Sequence, residues 1–406
     1  MGNNKRDILF LCQFFYPEYN SSASLPFDIA KHLADSGFSV DALCGYPKEY
    51  NASGEVPKKE TVDNIHIKRL KYIQLSRNKK FGRLVNYFSF TLTVLLHIFL
   101  IKKYKSVIVF SNPPILPFVA LFANILFGTK IVFVSFDVYP EVAYASKSLT
   151  ENDFVSKLMH SLNKRLFKRA SKIVALTQEM KDFLIENRPE ITEEKIAIIP
   201  NWAHEKKAER SKQAYSDLGY NQDDFIVSYF GNMGICQDVE TMLQAMKLLK
   251  DNPKIKFLLV GHGSKLPYVK EKTKDLPNVA LYNFMIGKDF ENALAVSSCG
   301  IVSLENGLKG TCAPSKYYSY LQSGIPVLAV VESDSYLVED VCKNNVGDFA
   351  NVGDGKKLAK IISELCDNRD KLSIMSENAE KLYSNEYAIE IGTDKYRQIF
   401  AGGLNL

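Results

Sequence analysis

Two doubly wound α/β domains in tandem are what this sequence predicts, on three observations. The chain has 406 residues, too many for one hydrophobic core. Short β-branched or apolar runs alternate along it with longer amphipathic segments, the pattern of parallel sheets covered by helices. A polar stretch without apolar period, HEKKAERSKQ, interrupts that alternation near residues 203–215.

In the first half the strand candidates are DILFLC (7–12), SVDALC (39–44), IHIKRL (65–70), SVIVFS (106–111), KIVFVS (130–135) and KIVALT (172–177), closed by IAIIPNW. In the second they are FIVSYFG (225–231), KFLLVG (256–261), VALYNF (279–284), GIVSL (300–304) and IPVLAV (325–330). The expected division is a domain over 1–203, a second over 204–380, and a C-terminal helix within 381–406 returning towards the first. Two such sheets would face each other across a crevice, with the ligand at the carboxyl ends of the strands.

Composition narrows the function. With 46% hydrophobic and 24% charged residues the chain is a folded globular protein, not a disordered or fibrous one. Its seven cysteines include no C-x-x-C pair, so neither a zinc site nor a disulfide framework is suggested, and a reduced cytoplasmic protein is expected. The opening MGNNKRDILFLCQFF has too short an apolar run for a secretory leader and reads as a first buried strand.

The net charge of +5 is unevenly spread. No acidic residue lies between Asp63 and Asp137, an interval holding Lys68, Arg69, Lys71, Arg77, Lys79, Lys80, Arg83, Lys102, Lys103, Lys105 and Lys130. A one-signed field of this kind implies an anionic partner. Nucleic acid is disfavoured, because the basic residues frame apolar sequence, LVNYFSFTLTVLLHIFLI (84–101), without a nucleic-acid-reading motif. That run has too short an uninterrupted apolar part, Val94 to Ile101 apart from His97, to span a bilayer, and Asn86, Ser89, Thr91 and Thr93 further weaken a spanning helix. It reads as a helix lying in the interface of an anionic inner leaflet, with Arg77, Lys79, Lys80, Arg83, Lys102 and Lys103 facing the membrane, or else as a core helix with a solvated basic flank. A second basic stretch, FVSKLMHSLNKRLFKRASK (154–172), extends that surface or packs its apolar face on the first sheet.

Four loops of the second half follow strand ends: FGNMGICQDVETM, VGHGSK, YNFMIG and LENGLKGTCAPSKYYSYLQSGIP. Glycine at a strand-to-helix turn lets backbone N–H groups approach an anion closely, so four such loops point to one bound phosphate ligand. The stretches FFYPEYNSSAS, FDVYPE, IIPNW, FGNMGICQDVETMLQA, LLVGHGSK and PSKYYSYLQSGIPV, in this order, resemble the retaining glycosyltransferases of family 4, with the two-Rossmann GT-B fold. More closely the chain is similar to members that build capsule, O-antigen and exopolysaccharide repeats. The resemblance implies transfer of a sugar from a nucleotide diphosphate, UDP above all, to a polyprenyl-diphosphate-linked glycan, without a metal or other cofactor.

On that resemblance the donor site comprises Gly231, Asn232, Gln237, Gly261, Gly263, Asn283, Phe284, Thr311, Ser315, Lys316 and Ser319. Two departures stand out. Asn232 and Gln237 occupy positions where most of the family has Arg and Lys, and Thr311 and Ser319 those of a glutamate pair. Losing two charge-assisted bonds removes about 3–6 kcal/mol of diphosphate stabilisation, equivalent to a rate loss of about 10²–10⁴ if all of it acted on the departing nucleotide. Another cation is therefore expected to substitute, Lys316 first, with Lys265 and Lys309 in reserve, unless Ser315 merely caps its helix and Lys316 is solvated. On the acceptor side the resemblance implies Asn20, Ser21 and Ser22 in the loop after the first strand, together with Glu141. Asp137, at a strand end, is placed to position or deprotonate an acceptor hydroxyl. Asn201 and Trp202 resemble the interdomain hinge. The eroded charges leave room for a non-catalytic GT-B-shaped partner or glycan-binding subunit, and the fold for an epimerase.

Overall fold

A computed structural model describes residues 5–47, 54–76, 80–145, 147–204 and 209–402. The chain forms two compact units, one of residues 1–201, 310–313 and 389–406, the other of residues 202–309 and 314–388.

The first unit is built on eight strands: β1 Arg6–Leu11, β2 Val40–Gly45, β3 Lys59–Val62, β4 Ile65–Leu70, β5 Tyr104–Phe110, β6 Lys130–Val134, β7 Lys172–Ala175 and β8 Ile196–Ile198. Their order is β3-β4-β2-β1-β5-β6-β7-β8, parallel throughout except for the β3–β4 hairpin. The central strands are apolar on both faces, as strands covered twice must be. Leu9, Leu11, Val107, Val109, Ile131 and Phe133 bury one face. Helices Lys80–Leu96, Pro117–Phe127, Phe154–Arg169 and Gln178–Asn187 close it with Phe90, Val94, Val119, Leu166 and Leu184. On the opposite face Phe10 meets Phe15, which meets Phe27 of helix Ser21–Asp35. Helix Ile389–Ala401 packs on that helix, with Phe400 against Phe38.

Strand β3 was not expected, because its alternation of exposed and half-exposed residues carries no core signal. The hairpin turn was not expected either. Asp63 and Asn64 both have left-handed backbone, φ 48° and 63°, as a two-residue turn between twisted strands requires.

The second unit carries six parallel strands in the order β11-β10-β9-β12-β13-β14: β9 Phe225–Asn232, β10 Ile255–His262, β11 Val279–Tyr282, β12 Cys299–Ser303, β13 Val327–Val330 and β14 Gly347–Ala350. Helices Glu240–Leu248 and Gly355–Asp367 pack together on one face over Tyr229, Phe257 and Leu328. Helix Lys316–Gln322 seats Tyr320 against Gly300, where a Cβ would stand 2.5 Å from the ring. Tyr320 Oη accepts a hydrogen bond from Phe230 N–H (3.1 Å). The same helix is held from behind by Asp340, whose carboxylate accepts from Tyr317 and Tyr387 Oη, each at 2.7 Å.

One basic residue of the acid-free interval is not part of an outward field. Arg69 is fully buried and donates to Glu60, to Pro57 O (2.9 Å) and to Tyr16 O (2.8 Å), so it ties the β3–β4 hairpin to the loop after β1. Arg69→Met leaves those carbonyls and the carboxylate without their partner, and is expected to cost the first unit about 3–5 kcal/mol in denaturant unfolding.

Candidate functional site

The loops at the carboxyl ends of β9, β10 and β12 are bonded to one another. Met233 N–H donates to His262 O (2.6 Å), Lys265 N–H to Met233 O (2.8 Å), and Glu305 N–H to Cys236 O (2.9 Å). Gly231 and Gly263 have φ of +108° and +128°, reserved in practice for glycine. At Gly263 a Cβ would also stand 2.5 Å from Asn232 Oδ1 and 2.6 Å from Met233 O. At Gly261 it would collide with Gly231 O. The glycines thus let two loops close on each other over the strand ends.

Lys316 opens its helix and lays its ammonium on the face of Tyr229, Nζ 3.6 Å from the ring centroid, with Cε beside Gly231. Lys316 keeps partial exposure, but Nζ itself is buried and has no hydrogen-bond partner. Burial therefore pushes its pKa down to about 7. The aromatic face compensates only in part, and Tyr229, whose Oη donates to Asn232 O (2.8 Å), is itself buried and held neutral. Ser315 stands at the N-cap with helical dihedrals and its hydroxyl makes no capping bond.

The reserve lysines are both paired. Lys265 Nζ donates to Glu305 (2.5 Å) and to Gln237 O (2.7 Å), and Lys309 to Asp334 (2.5 Å). Gln237 folds back, its Oε1 accepting from Gly234 N–H (3.0 Å). Asn283 and Phe284 follow β11, both exposed, with Phe284 edge-on to His262 at 5.5 Å. Ser319 is partly buried on the same helix as Lys316.

Thr311 belongs to the first unit, buried, with its carbonyl accepting from Val138 N–H (2.7 Å), while Cys312 bridges Asp137. Ser111 Oγ accepts from the N–H groups of Phe136 and Asp137, both at 3.0 Å, which fixes the turn after β6. Asp137 is half-buried, and burial pushes its carboxyl up to about 6. Glu141 is not a free carboxylate, because Oε1 pairs with Arg188 at 2.5 Å and Oε2 is buried.

Asn20 precedes helix Ser21–Asp35 without capping it, and both its amide atoms are buried without a partner. Ser22 Oγ accepts from Asn112 Nδ2 at 3.4 Å, and Ser21 is exposed. Sequence reasoning missed Gln13 and Asn112. Gln13, 1% exposed, leaves both amide atoms unpartnered at the end of β1, and Asn112 Oδ1 is likewise buried after β5. A polar residue following an apolar strand was the signal available.

Of the basic residues expected at a membrane, Arg77 and Lys79 lie outside the described residues, as does the side chain of Lys80. Arg83, Lys102 and Lys103 are exposed. Between them helix Lys80–Leu96 turns Phe90 and Val94 inward and Phe81, Leu84, Phe88, Leu92 and Leu96 outward. The second basic helix buries Met159, Leu166 and Phe167 and exposes Phe154, Val155 and Leu158. Among the described residues no helix is long and apolar enough to cross a membrane, and no group of three or more His, Cys, Asp or Glu is placed to hold a metal ion.

A fold of two Rossmann-like units with glycine loops at the strand ends defines the GT-B class. Residues 27–202 match the glycosyl transferase 4-like domain and residues 211–382 the glycosyl transferases group 1 domain. The chain belongs to the GT-B glycosyltransferases that combine these two domains. It is 25% identical to WbjE of Pseudomonas aeruginosa, named as a probable glycosyltransferase, over 70% of this chain and 72% of that protein. Its fold is similar to that of HepE of Anabaena in complex with UDP-glucose (TM-score 0.70, 19% identity, 98% of this chain and 99% of that one). WaaG, a glycosyltransferase involved in lipopolysaccharide biosynthesis, is likewise similar (TM-score 0.69, 14% identity, 98% and 100%).

The raised Asp137 pKa has a stability consequence with a definite sign. Between the ordinary value and about 6 the folded state binds more protons than the unfolded state, so stability falls as pH rises through that window and the cost is complete at neutral pH. Asp137→Asn should therefore raise the melting temperature by a few degrees at pH 7.5 and leave it nearly unchanged at pH 4. Thermal melts at the two pH values decide it; an equal shift at both would mean that the carboxyl is not desolvated.

Proposed function

We propose that the protein transfers a sugar from UDP to a polyprenyl-diphosphate-linked glycan, with retention of anomeric configuration, in the assembly of a surface polysaccharide. The observation that carries the donor half is the Lys316 ammonium, buried over Tyr229 without an anion beside the glycine turn at Gly231. A diphosphate is the ligand that satisfies it, and the loop N–H groups around Gly231 and Gly263 add neutral donors. The UDP-glucose bound to HepE supports a UDP-sugar. WaaG's place in lipopolysaccharide biosynthesis supports a glycan of the cell surface. Retention rests on the family resemblance of the sequence motifs.

In the first unit Asp137, with its carboxyl close to titration at neutral pH, is the group suited to take a proton from an acceptor hydroxyl. The unpartnered amides of Gln13 and Asn20 and the unpartnered Oδ1 of Asn112 suit the hydroxyls of an uncharged sugar, each of which both donates and accepts. The outward apolar stripe of helix Lys80–Leu96, continued at Phe99 and flanked by Arg83, Lys102 and Lys103, fits the interface of an anionic inner leaflet where a lipid-linked acceptor resides.

Calorimetric titration with UDP, GDP and dTDP in EDTA tests the donor site. UDP should bind with micromolar affinity and about tenfold or more weakly to Lys316→Ala. Because UDP requires the charged lysine, whose free pKa is about 7, binding at pH 8 should take up a proton. The affinity should then fall by up to about tenfold per pH unit above 7. No binding of any nucleotide would sink the reading.

The membrane half is tested by sedimentation with phosphatidylglycerol vesicles. The wild type should co-sediment, and a Phe88→Glu, Leu92→Glu variant should stay in the supernatant. Equal sedimentation of the two would remove the apolar stripe from the interface.

A further inference from the structure

We propose that Lys265 is a second cation for the donor diphosphate, and that Glu305 holds it in the free protein until the diphosphate takes the carboxylate's place. This rests on the second unit being a nucleotide-sugar site. The two positions that resemble the family's loop cations carry neutral amides. Gln237 Oε1 accepts from Gly234 N–H at 3.0 Å, and Asn232 is exposed. Neither presents a charge, and a diphosphate in this cradle would meet Lys316 alone.

Lys265 repairs that from the neighbouring loop. Its backbone N–H is anchored on Met233 O at 2.8 Å, and its side chain crosses to Gln237 O at 2.7 Å, placing an ammonium at the backbone of the residue whose family counterpart carries the charge. Of its three protons, Gln237 O and Glu305 Oε1 take two, which leaves one for a further acceptor.

Glu305 is fixed through its main chain, N–H to Cys236 O at 2.9 Å, so its carboxylate can leave Lys265 without unfolding the loop. The pair is partly open to water, with 25% of the lysine side chain and 34% of the glutamate accessible. An ion pair so hydrated contributes little. A diphosphate carries more charge than one carboxylate and is also held by Lys316 and the loop amides, so the exchange is favourable. In the free protein the same contact keeps Lys265 compensated.

The experiment is a UDP titration of wild type, Lys265→Met, Glu305→Gln and the double variant, with Lys265→Arg and thermal melts as controls of folding. Lys265→Met should weaken UDP about tenfold, Lys265→Arg should bind within about threefold of wild type, and Glu305→Gln should tighten UDP by about threefold or more. In the Lys265→Met background Glu305→Gln should have no effect. If wild type binds UDP while Lys265→Met binds equally well, or if Lys265→Met and Glu305→Gln weaken binding alike, the pair is a loop tie and the assignment is overturned. A wild type that binds no UDP overturns the donor-site reading, and this assignment with it.

Discussion

A lysine ammonium placed on an aromatic ring with no anion in reach has given up its water and received only partial compensation. For Lys316 that arrangement persists because the surrounding structure allows its helix no other seat. Tyr320 is pressed onto Gly300 and bonded to Phe230 N–H, and Tyr317 shares the Asp340 carboxylate with Tyr387. The cost is drawn from the packing of the second unit and is returned when an anion arrives. The ring beneath the ammonium sits on β9, and the turn beside it is Gly231, so one strand end supplies both the platform and the opening.

The first unit carries two sets of groups that its core does not need, at the edge and on a face of a single sheet. Its carboxyl edge holds uncharged amides and one desolvated carboxyl. Its helical layer carries apolar residues on two sides, and the inward set, Phe90 and Val94 with Asn86, suffices to anchor helix Lys80–Leu96 on the core. The outward set at 81, 84, 88, 92 and 96 repeats with helical period and adds nothing to that core. A soluble protein gains nothing from keeping such a stripe in water, and no acidic residue from 64 to 136 competes with the lysines beside it.

How much of this was legible in the sequence depends on how local each signal is. The buried strands were readable, because parallel strands covered on both faces must be apolar throughout. Strands β3 and β14 were not, both being short edges: β3 is exposed, with no mark but the Asp63–Asn64 turn, and β14 is only half-buried in its middle. The glycine loops and Lys316 could be picked out, since turn chemistry and helix position are local. The engagement of Lys265 could not, for its partner Glu305 lies 40 residues on. Arg69 read as one more surface charge although it is fully buried, because its partner Glu60 lies across a hairpin that was itself not expected. The segment 310–313 joined the donor loops by sequence order, yet backbone pairing of Thr311 and Cys312 with Val138 and Asp137 assigns it to the first unit. The apolar run at 84–101 marked a helix, which spans Lys80–Leu96, but could not say which of its two apolar faces meets protein.

The replacement of fixed charges by a desolvated lysine changes where binding energy is realised. An arginine in the first loop would be fully charged before and after the donor arrives. In the proposed donor site Lys316, near its titration point at neutral pH while free, would become fully cationic when a diphosphate binds beside it. The ammonium would then hold the departing diphosphate more strongly as the sugar–phosphate bond lengthens and charge moves onto it. An interaction that strengthens along the reaction coordinate raises turnover, whereas one equally strong throughout only tightens the ground state. Fewer permanent charges in the cradle are thus compatible with an efficient transferase, provided that the one buried cation stays dry until the donor seals it.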